Sequence, residues 1–284
     1  MPARPRAGTI SGMSQSSPAS DPRLLTPLFL WRGGWLMALS SLHNQPHQHV
    51  AASLLVGLEK DIRVTREGRV LCARAVLVPP ECQQSLHSDG PVAILHLDPD
   101  EPAWRSLALQ QPLSAAHQQW LSDTLRDLSR AAQPETGVVT FVQQLRQLAS
   151  PSPLDARIAA SCAWLRDAPE PVPTMTHLAQ QAGLSESRFR HLFREQMGVT
   201  LKRYQLHLKC QRALSLWQSG MNFTELAVLA GFYDQPHLNR TLRAMFDALP
   251  SGYARGQTVQ VVPLSIPAEN LSLIHISEPT RRIL

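Results

Sequence analysis

Hydrophobic and polar residues follow two different periods along this 284-residue chain, and the change of period divides it. The richest apolar run, "LLTPLFLWRGGWLMALSSL" over 24–42, is interrupted by Pro27, Arg32, Gly33 and Gly34, so it reads as strands and turns. Short strands continue over 50–97. "DIRVT" alternates apolar with polar, Glu67-Gly68 marks a turn, "RVLCARAVLV" and "VAILHL" are β-rich, and Pro79-Pro80 stops a strand. Several short strands without an intervening helix predict a small barrel or sandwich. From 113 the period lengthens. Leu121, Leu125, Leu128 and Ala132 recur at helical spacing with Trp120 beside them, and "VVTFVQQLRQLA" carries a second stripe. Both helices are expected to pack on the outer face of the barrel. "SPSP" at 150–153 reads as a linker, because proline forbids continuing the helix. Beyond it the period is helical as far as about Arg255.

One pattern occurs twice in this helical part. Leu178-Ala179 then Ala182-Gly183-Leu184 matches Leu226-Ala227 then Ala230-Gly231-Phe232; Phe189, Phe193 and Arg194 match Leu238, Leu242 and Arg243, with one extra residue in the second turn. A helix-turn-helix explains each position. Small Ala lets two helices cross closely, Gly supplies the left-handed backbone that ends the first helix, and large apolar residues lock the second helix against the first. Ser185 and Asp234 are N-cap residues for the second helices, and Asn222 with Glu225 makes a capping-box pattern. Between the copies, residues 200–219 predict one helix of about 30 Å at 1.5 Å per residue, with apolar residues on two faces. A rigid spacer of that length can set two recognition helices about one DNA turn apart.

Charge follows the repeat. Residues 1–150 hold 13 Lys/Arg against 12 Asp/Glu, 151–255 hold 12 against 8, and the remainder 2 against 2. The excess centres on Arg188, Arg190, Arg194, Lys202, Arg203, Lys209 and Arg212, opposed locally by Glu186 and Glu195. A basic cluster coinciding with paired helix-turn-helix motifs points to double-stranded DNA. Length and an apolar fraction of 43% suit two modest domains, and no uncharged apolar run is long enough to span a membrane. Cys72, Cys82, Cys162 and Cys210 lack metal-like or redox-like spacing and are expected to be buried, reduced thiols. Residues 1–22 read as a disordered leader without the apolar centre of a signal peptide, Met13 being an alternative start. "LSLIHISEPTR" at 271–281 looks like a translated transposase adapter from sequencing libraries, so 271–284 is set aside as an artefact tail.

"LAQQAGLSESRFRHLFREQMGVT" followed by "ELAVLAGFYDQPHLNRTLRAMFDALPSGY" closely resembles the DNA-binding domain of AraC/XylS-type transcriptional regulators, over about Leu154 to Arg255. Leu201 stands where that family usually has Pro, and Asp247 where Gly is common. "PHQHVAASLLVGL" and "AVLVPPECQQSLHSDGPVAILHLDP" look like the cupin-type sensor half of such regulators. The resemblance implies an α+β multidomain chain: a small cupin-like β-barrel with helices over 23–149, a linker at 150–153, and an all-α domain with two helix-turn-helix motifs over 154–257. It implies base reading by Ser187, Arg190, His191, Gln235, His237, Asn239 and Arg240, with Arg188, Arg194, Lys202, Arg203 and Arg243 on phosphates. Pro236 stands where an amide side chain is usual.

A cupin metal site needs a His-x-His pair, a nearby carboxylate and a later His. His47, His49 and His87 can supply three ligands, but no Asp or Glu follows His49 before Glu59, so solvated or hydrogen-bonded histidines at a barrel mouth are the expected reading. No metal, cofactor or nucleophile–base pair is therefore expected, and an enzymatic cupin is the alternative. The remaining expectations are cytoplasmic location, contact with RNA polymerase, a small-molecule effector, homodimerisation and no membrane association.

Overall fold

The computed structural model describes residues 25–167, 172–217, 221–246 and 260–267. The expected leader at 1–22, Asp247 and the tail at 271–284 lie outside the described residues. The strands are β1 (Leu28–Trp31), β2 (Gly34–Leu39), β3 (Leu42–His43), β4 (His47–Gln48), β5 (Ala52–Gly57), β6 (Ile62–Arg66), β7 (Arg69–Ala73), β8 (Ala75–Val78), β9 (Gln83–Ser88), β10 (Val92–Leu97) and β11 (Val261–Pro263). They form two sheets, β11-β1-β2-β10-β5-β8 and β3-β9-β6-β7, with β4 also paired to β9. Every pairing is antiparallel except β11 on β1.

Alternation within the first sheet sorts side chains between two cores. Leu28 and Leu30 of β1, with Val92 and Ile94 of β10, meet the second sheet. Phe29 and Trp31, with Ala93, Leu95 and Leu97, meet three helices. Because both faces are covered, β2, β5 and β10 are buried at every position and read as apolar runs interrupted only by Ser53 and His96. The covering helices are α1 (Pro102–Ala108), α2 (Ala115–Arg130) and α3 (Glu135–Gln147), which contribute Leu107, Leu121, Leu125, Val138, Phe141 and Leu145. Each such side chain contributes about 1.5–3 kcal/mol by leaving water. Arg146 is buried with Glu101, Nε to Oε1 at 2.7 Å, and Gly33, at φ +120, keeps room for that carboxylate where a Cβ would overlap it.

The remaining helices are α4 (Ala156–Asp167), α5 (Met175–Gln181), α6 (Glu186–Met197), α7 (Leu201–Leu216), α8 (Phe223–Leu229) and α9 (Gln235–Phe246). Their core is built on Ile158, Leu178, Phe189, Phe193, Tyr204, Leu226, Leu238 and Leu242.

Several expectations need correcting. The β-rich run "RVLCARAVLV", whose division the sequence reading left open, is two strands: the chain leaves β7 in one sheet and enters β8 in the other across Arg74. The helix expected over 200–219 ends at Leu216, with Trp217 extended (φ −62°, ψ 124°), so the spacer is about 24 Å long. Cys72 is exposed, because β7 lies at a sheet edge and turns that side chain outward. The chain beyond the helices comes back as β11 to extend the first sheet, and Arg146 Nη1 donates to Pro267 O at 2.7 Å.

This return predicts two different outcomes of shortening the chain. Ending it before Leu271 leaves the melting temperature unchanged. Ending it at Arg255 bares the β1 edge and strips Arg146 of one acceptor; a loss of 1 kcal/mol lowers the melting point by roughly 2–4 °C in a chain of this size. Thermal unfolding followed by circular dichroism distinguishes the two, and coincident curves for the Arg255 truncation and the full chain contradict the role assigned to β11.

Candidate nucleic-acid interface

The two motifs are built by the same local devices. Thr174 caps α5, accepting from His177 N at 3.3 Å, and Gly183 (φ 64°) ends it while Leu184 N reaches back to Ala179 O at 2.9 Å. Asn222 caps α8, accepting from Thr224 N at 2.9 Å, and Gly231 (φ 81°) ends it while Phe232 N reaches Ala227 O at 2.8 Å. A left-handed glycine with that long backward bond satisfies carbonyls the helix end would otherwise strand. Ser185 then caps α6 through Arg188 N, and Asp234 caps α9 through His237 N at 2.6 Å. The second residue of each leading helix also holds the first residue of each following one. Thr176 Oγ1 donates to Glu186 Oε1 at 2.5 Å, and Thr224 Oγ1 to Gln235 Oε1 at 3.0 Å.

On α6, Phe189, Phe193 and Met197 face the core, which leaves Ser187, Arg188, Arg190, His191 and Arg194 exposed. On α9, Leu238 and Leu242 are buried, Arg240 and Arg243 are exposed and Asn239 is half-buried. Lys202 is exposed in the first turn of α7. Three expected contacts are placed otherwise. Gln235 is half-buried and engaged by Thr224; His237 is half-buried with its ring edge-on to Phe232 at 5.2 Å. Arg203 turns away from that surface, and its Nε donates to Glu81 Oε1 of the sandwich at 2.9 Å. Lys209, which sequence reasoning counted only as charge, donates to Gly231 O at 2.5 Å and so braces the second turn.

Other polar groups join the helices to the sandwich. Asp98, just past β10, is fully buried; its Oδ1 lies 2.7 Å from His207 Nε2 and accepts from Gln211 Nε2 at 2.8 Å, and its Oδ2 lies 2.7 Å from Arg166 Nη2. Arg166 also donates to Asp100 Oδ1 at 2.6 Å, which Tyr204 Oη contacts at 3.0 Å. Burial pushes the Asp98 carboxyl up, but Arg166 and His207 outweigh it and hold the group well below the usual carboxylate range. Arg105 of α1 donates to Ser152 O of the linker and to Gln196 O of α6.

The expected histidine set is split. His47 and His49 are buried with Nε2 atoms 2.7 Å apart, and His49 lies edge-on to His96 at 4.0 Å. Sequence reasoning missed His96, which sits inside an apolar strand run. These three line a cavity of about 40 Å³ between the sheets, together with Trp35, Asn44 and Gln84. Burial, then the neighbouring histidines, pushes the His49 and His96 imidazoles well below their usual range. His87 is exposed elsewhere on β9, stacked on His43, so it does not complete a set with His47 and His49.

Known proteins share this architecture. A helix-turn-helix domain model matches residues 178–256. The arabinose operon regulatory protein of Salmonella typhimurium is 28% identical over 106 residues, 37% of this chain and 38% of that protein. Its Escherichia coli counterpart is 26% identical over 155 residues, 50% of this chain and 53% of that protein. The chain thus spans about half or less of the length of these curated relatives. Apo ToxT from Vibrio cholerae shares the fold at a TM-score of 0.50 and 12% identity, over 79% of this chain and 97% of that one. The chain thus resembles AraC/XylS-type regulators, most clearly in its helix-turn-helix domain.

Its departures from the AraC/XylS pattern are accommodated by helix starts. Leu201 is the first residue of α7 after the Thr200 cap, a position that suits Pro but does not require it, and here it is buried in the core. Pro236 falls in the first turn of α9, where its missing N–H is not needed for the helix. Among the described residues, no helix is long and apolar enough to cross a membrane.

The exposed faces of α6 and α7 lead to separate expectations for two substitutions. Arg190→Ala loses preference at one or two base pairs, costing about 1–3 kcal/mol on the best site. Lys202→Ala weakens every sequence alike and lowers the salt dependence, as loss of a phosphate contact does. Binding-site selection with each variant tests this; an unchanged profile for Arg190→Ala rules out the α6 face as the reading face.

Proposed function

We propose that this chain is a cytoplasmic, sequence-specific DNA-binding transcriptional regulator rather than an enzyme. The domain from about 154 to 257 reads DNA, the domain from about 23 to 149 controls it, and 150–153 links them. The observation that carries this reading is the pair of helix-turn-helix motifs with matching caps, turns and tethers, each presenting exposed arginines on its second helix. In the proposed complex α6 and α9 enter successive major grooves on one face of the duplex. Ser187, Arg190, His191, Asn239 and Arg240 meet base edges there, and Arg188, Arg194, Lys202 and Arg243 meet phosphates. Gln235 and His237 act mainly by setting the start of α9. Full-length protein is expected to enrich one sequence with two half-sites from random DNA, and recovery of unenriched sequence overturns the proposal.

Control by the first domain is supported by the junction. Arg166, His207 and Gln211 belong to the helical domain but are held by Asp98 of the sandwich, so a change of domain arrangement has to break buried, charge-assisted bonds. A small-molecule effector in the sandwich acts by binding the two arrangements unequally, with an expected coupling of about 1–3 kcal/mol. Homodimerisation through the first domain and contact with RNA polymerase complete the proposed mode of action.

Asp98→Asn is expected to destabilise this arrangement by about 3–5 kcal/mol, since it leaves Arg166 without one of its buried counter-charges. DNA affinity then moves toward that of a 154–255 fragment. A titration in which Asp98→Asn and the unaltered chain bind DNA identically, despite a lowered melting point, removes the junction from the control mechanism.

A further inference from the structure

We propose that His43, His87 and Asp89 form a surface site for a divalent transition-metal ion, Zn2+ being the reference ion, which ties the short rim strand β3 to β9. The geometry begins with register. β3 is two residues long, and His43 stands directly opposite His87 across the antiparallel pair, so both side chains leave the same face of the sheet. Their rings stack at 3.8 Å with 4° between the planes. Asp89, two residues after His87, brings one oxygen to both: Oδ1 lies 2.9 Å from His43 Nε2 and 3.5 Å from His87 Nε2.

A tetrahedral ion with ligands at about 2.0–2.2 Å needs its donor atoms roughly 3.4 Å from one another. The three donors here lie within 4.8 Å of one another, with the two nitrogen-to-oxygen distances on either side of that value, so small side-chain rotations suffice. Two imidazoles and one carboxylate select Zn2+, Ni2+ or Cu2+ over Mg2+ or Ca2+, which prefer all-oxygen shells. All three side chains are exposed, which leaves the fourth position to water. This site is separate from the interior group of His47, His49 and His96, from which His87 is excluded by its place on β9.

The surroundings oppose a cation. Arg63 of β6 stands opposite His87 on its other side and is exposed, and the Lys60 side chain lies over Gly90. Affinity is therefore set by three ligands working against two positive neighbours. The consequence of binding is local: Leu42 and Asn44, on either side of His43, line the cavity between the sheets. An ion that clamps His43 to His87 holds this edge of the cavity in place. The proposal rests on strand register and donor geometry alone, so it stands or falls independently of the DNA-binding reading.

The test uses full-length protein stripped with chelator and titrated with ZnCl2 by calorimetry, with Co2+ absorption reporting coordination. One equivalent is expected to bind, and His43→Ala and His87→Ala each weaken it by at least about tenfold. His47→Ala leaves the affinity unchanged. Arg63→Ala tightens binding, a gain that misfolding cannot produce, and the three surface variants, at His43, His87 and Arg63, keep the metal-free melting temperature of the parent. Absence of saturable Zn2+ binding overturns the proposal. So does binding that survives in both His43→Ala and His87→Ala, or that is lost in His47→Ala.

Discussion

A carboxylate with no exposure to water governs how the two halves of this chain meet. Asp98 follows β10 into the junction, where it must find partners or remain neutral. Its partners all come from the helical half: Arg166 from α4, and His207 with Gln211 from α7. Such a cluster adds little net stability compared with an apolar junction, because desolvation offsets attraction. Its effect is on arrangement. With one partner absent the charge is stranded, so the helices can dock on the sandwich in very few ways. The exposed pair Arg32–Asp167, at 2.6 Å nearby, contributes far less because water competes for both groups.

That constraint also accounts for the composition of α7. A connector between two helix-turn-helix motifs needs one apolar face, yet this helix buries a wide arc, leaving Lys202, Arg212 and Ser215 exposed. Leu201, Cys210 and Ala213 pack among the other helices. Tyr204 and His207 turn polar atoms toward Asp100 and Asp98. One helix is thus shared by the paired helix-turn-helix unit and by the junction. Arg105 adds a second connection by holding both the linker and the carboxyl end of α6.

The parts of this design visible in the sequence are those encoded locally. Gly183 and Gly231, the caps Ser185, Asn222 and Asp234, and the apolar positions of α6 and α9 lie within a few residues of what they act on. The strand runs were equally plain, since β5 and β10 are apolar apart from Ser53 and His96. What escaped depends on distance along the chain. The crossing at Arg74 sits inside an unbroken β-rich run, and β11 is only three residues long and finds its partner more than two hundred residues away. α1 spans seven residues, too few to show a helical period. Arg203 looks like any other cation in a basic cluster until Glu81 is brought beside it. His43 is obscured by the more familiar His47-Gln48-His49 pattern, because cross-strand register cannot be read from one strand.

The same register gives the proposed control a short physical route. Along a strand, residues two apart share a face and lie about 6.6 Å from each other. His96 lines the cavity and stacks on Trp35 at 4.1 Å, and Asp98 is two residues further on. β10 is paired on both sides along its whole length, to β2 and to β5, and is covered on both faces. A strand held in this way has little freedom to bend locally, so a displacement forced on His96 moves the strand end that carries Asp98. A surface strand could absorb the same displacement by bowing into solvent. Burial on both faces, which makes β10 so conspicuous in the sequence, is therefore also what makes it a stiff link between the cavity and the junction with α4 and α7.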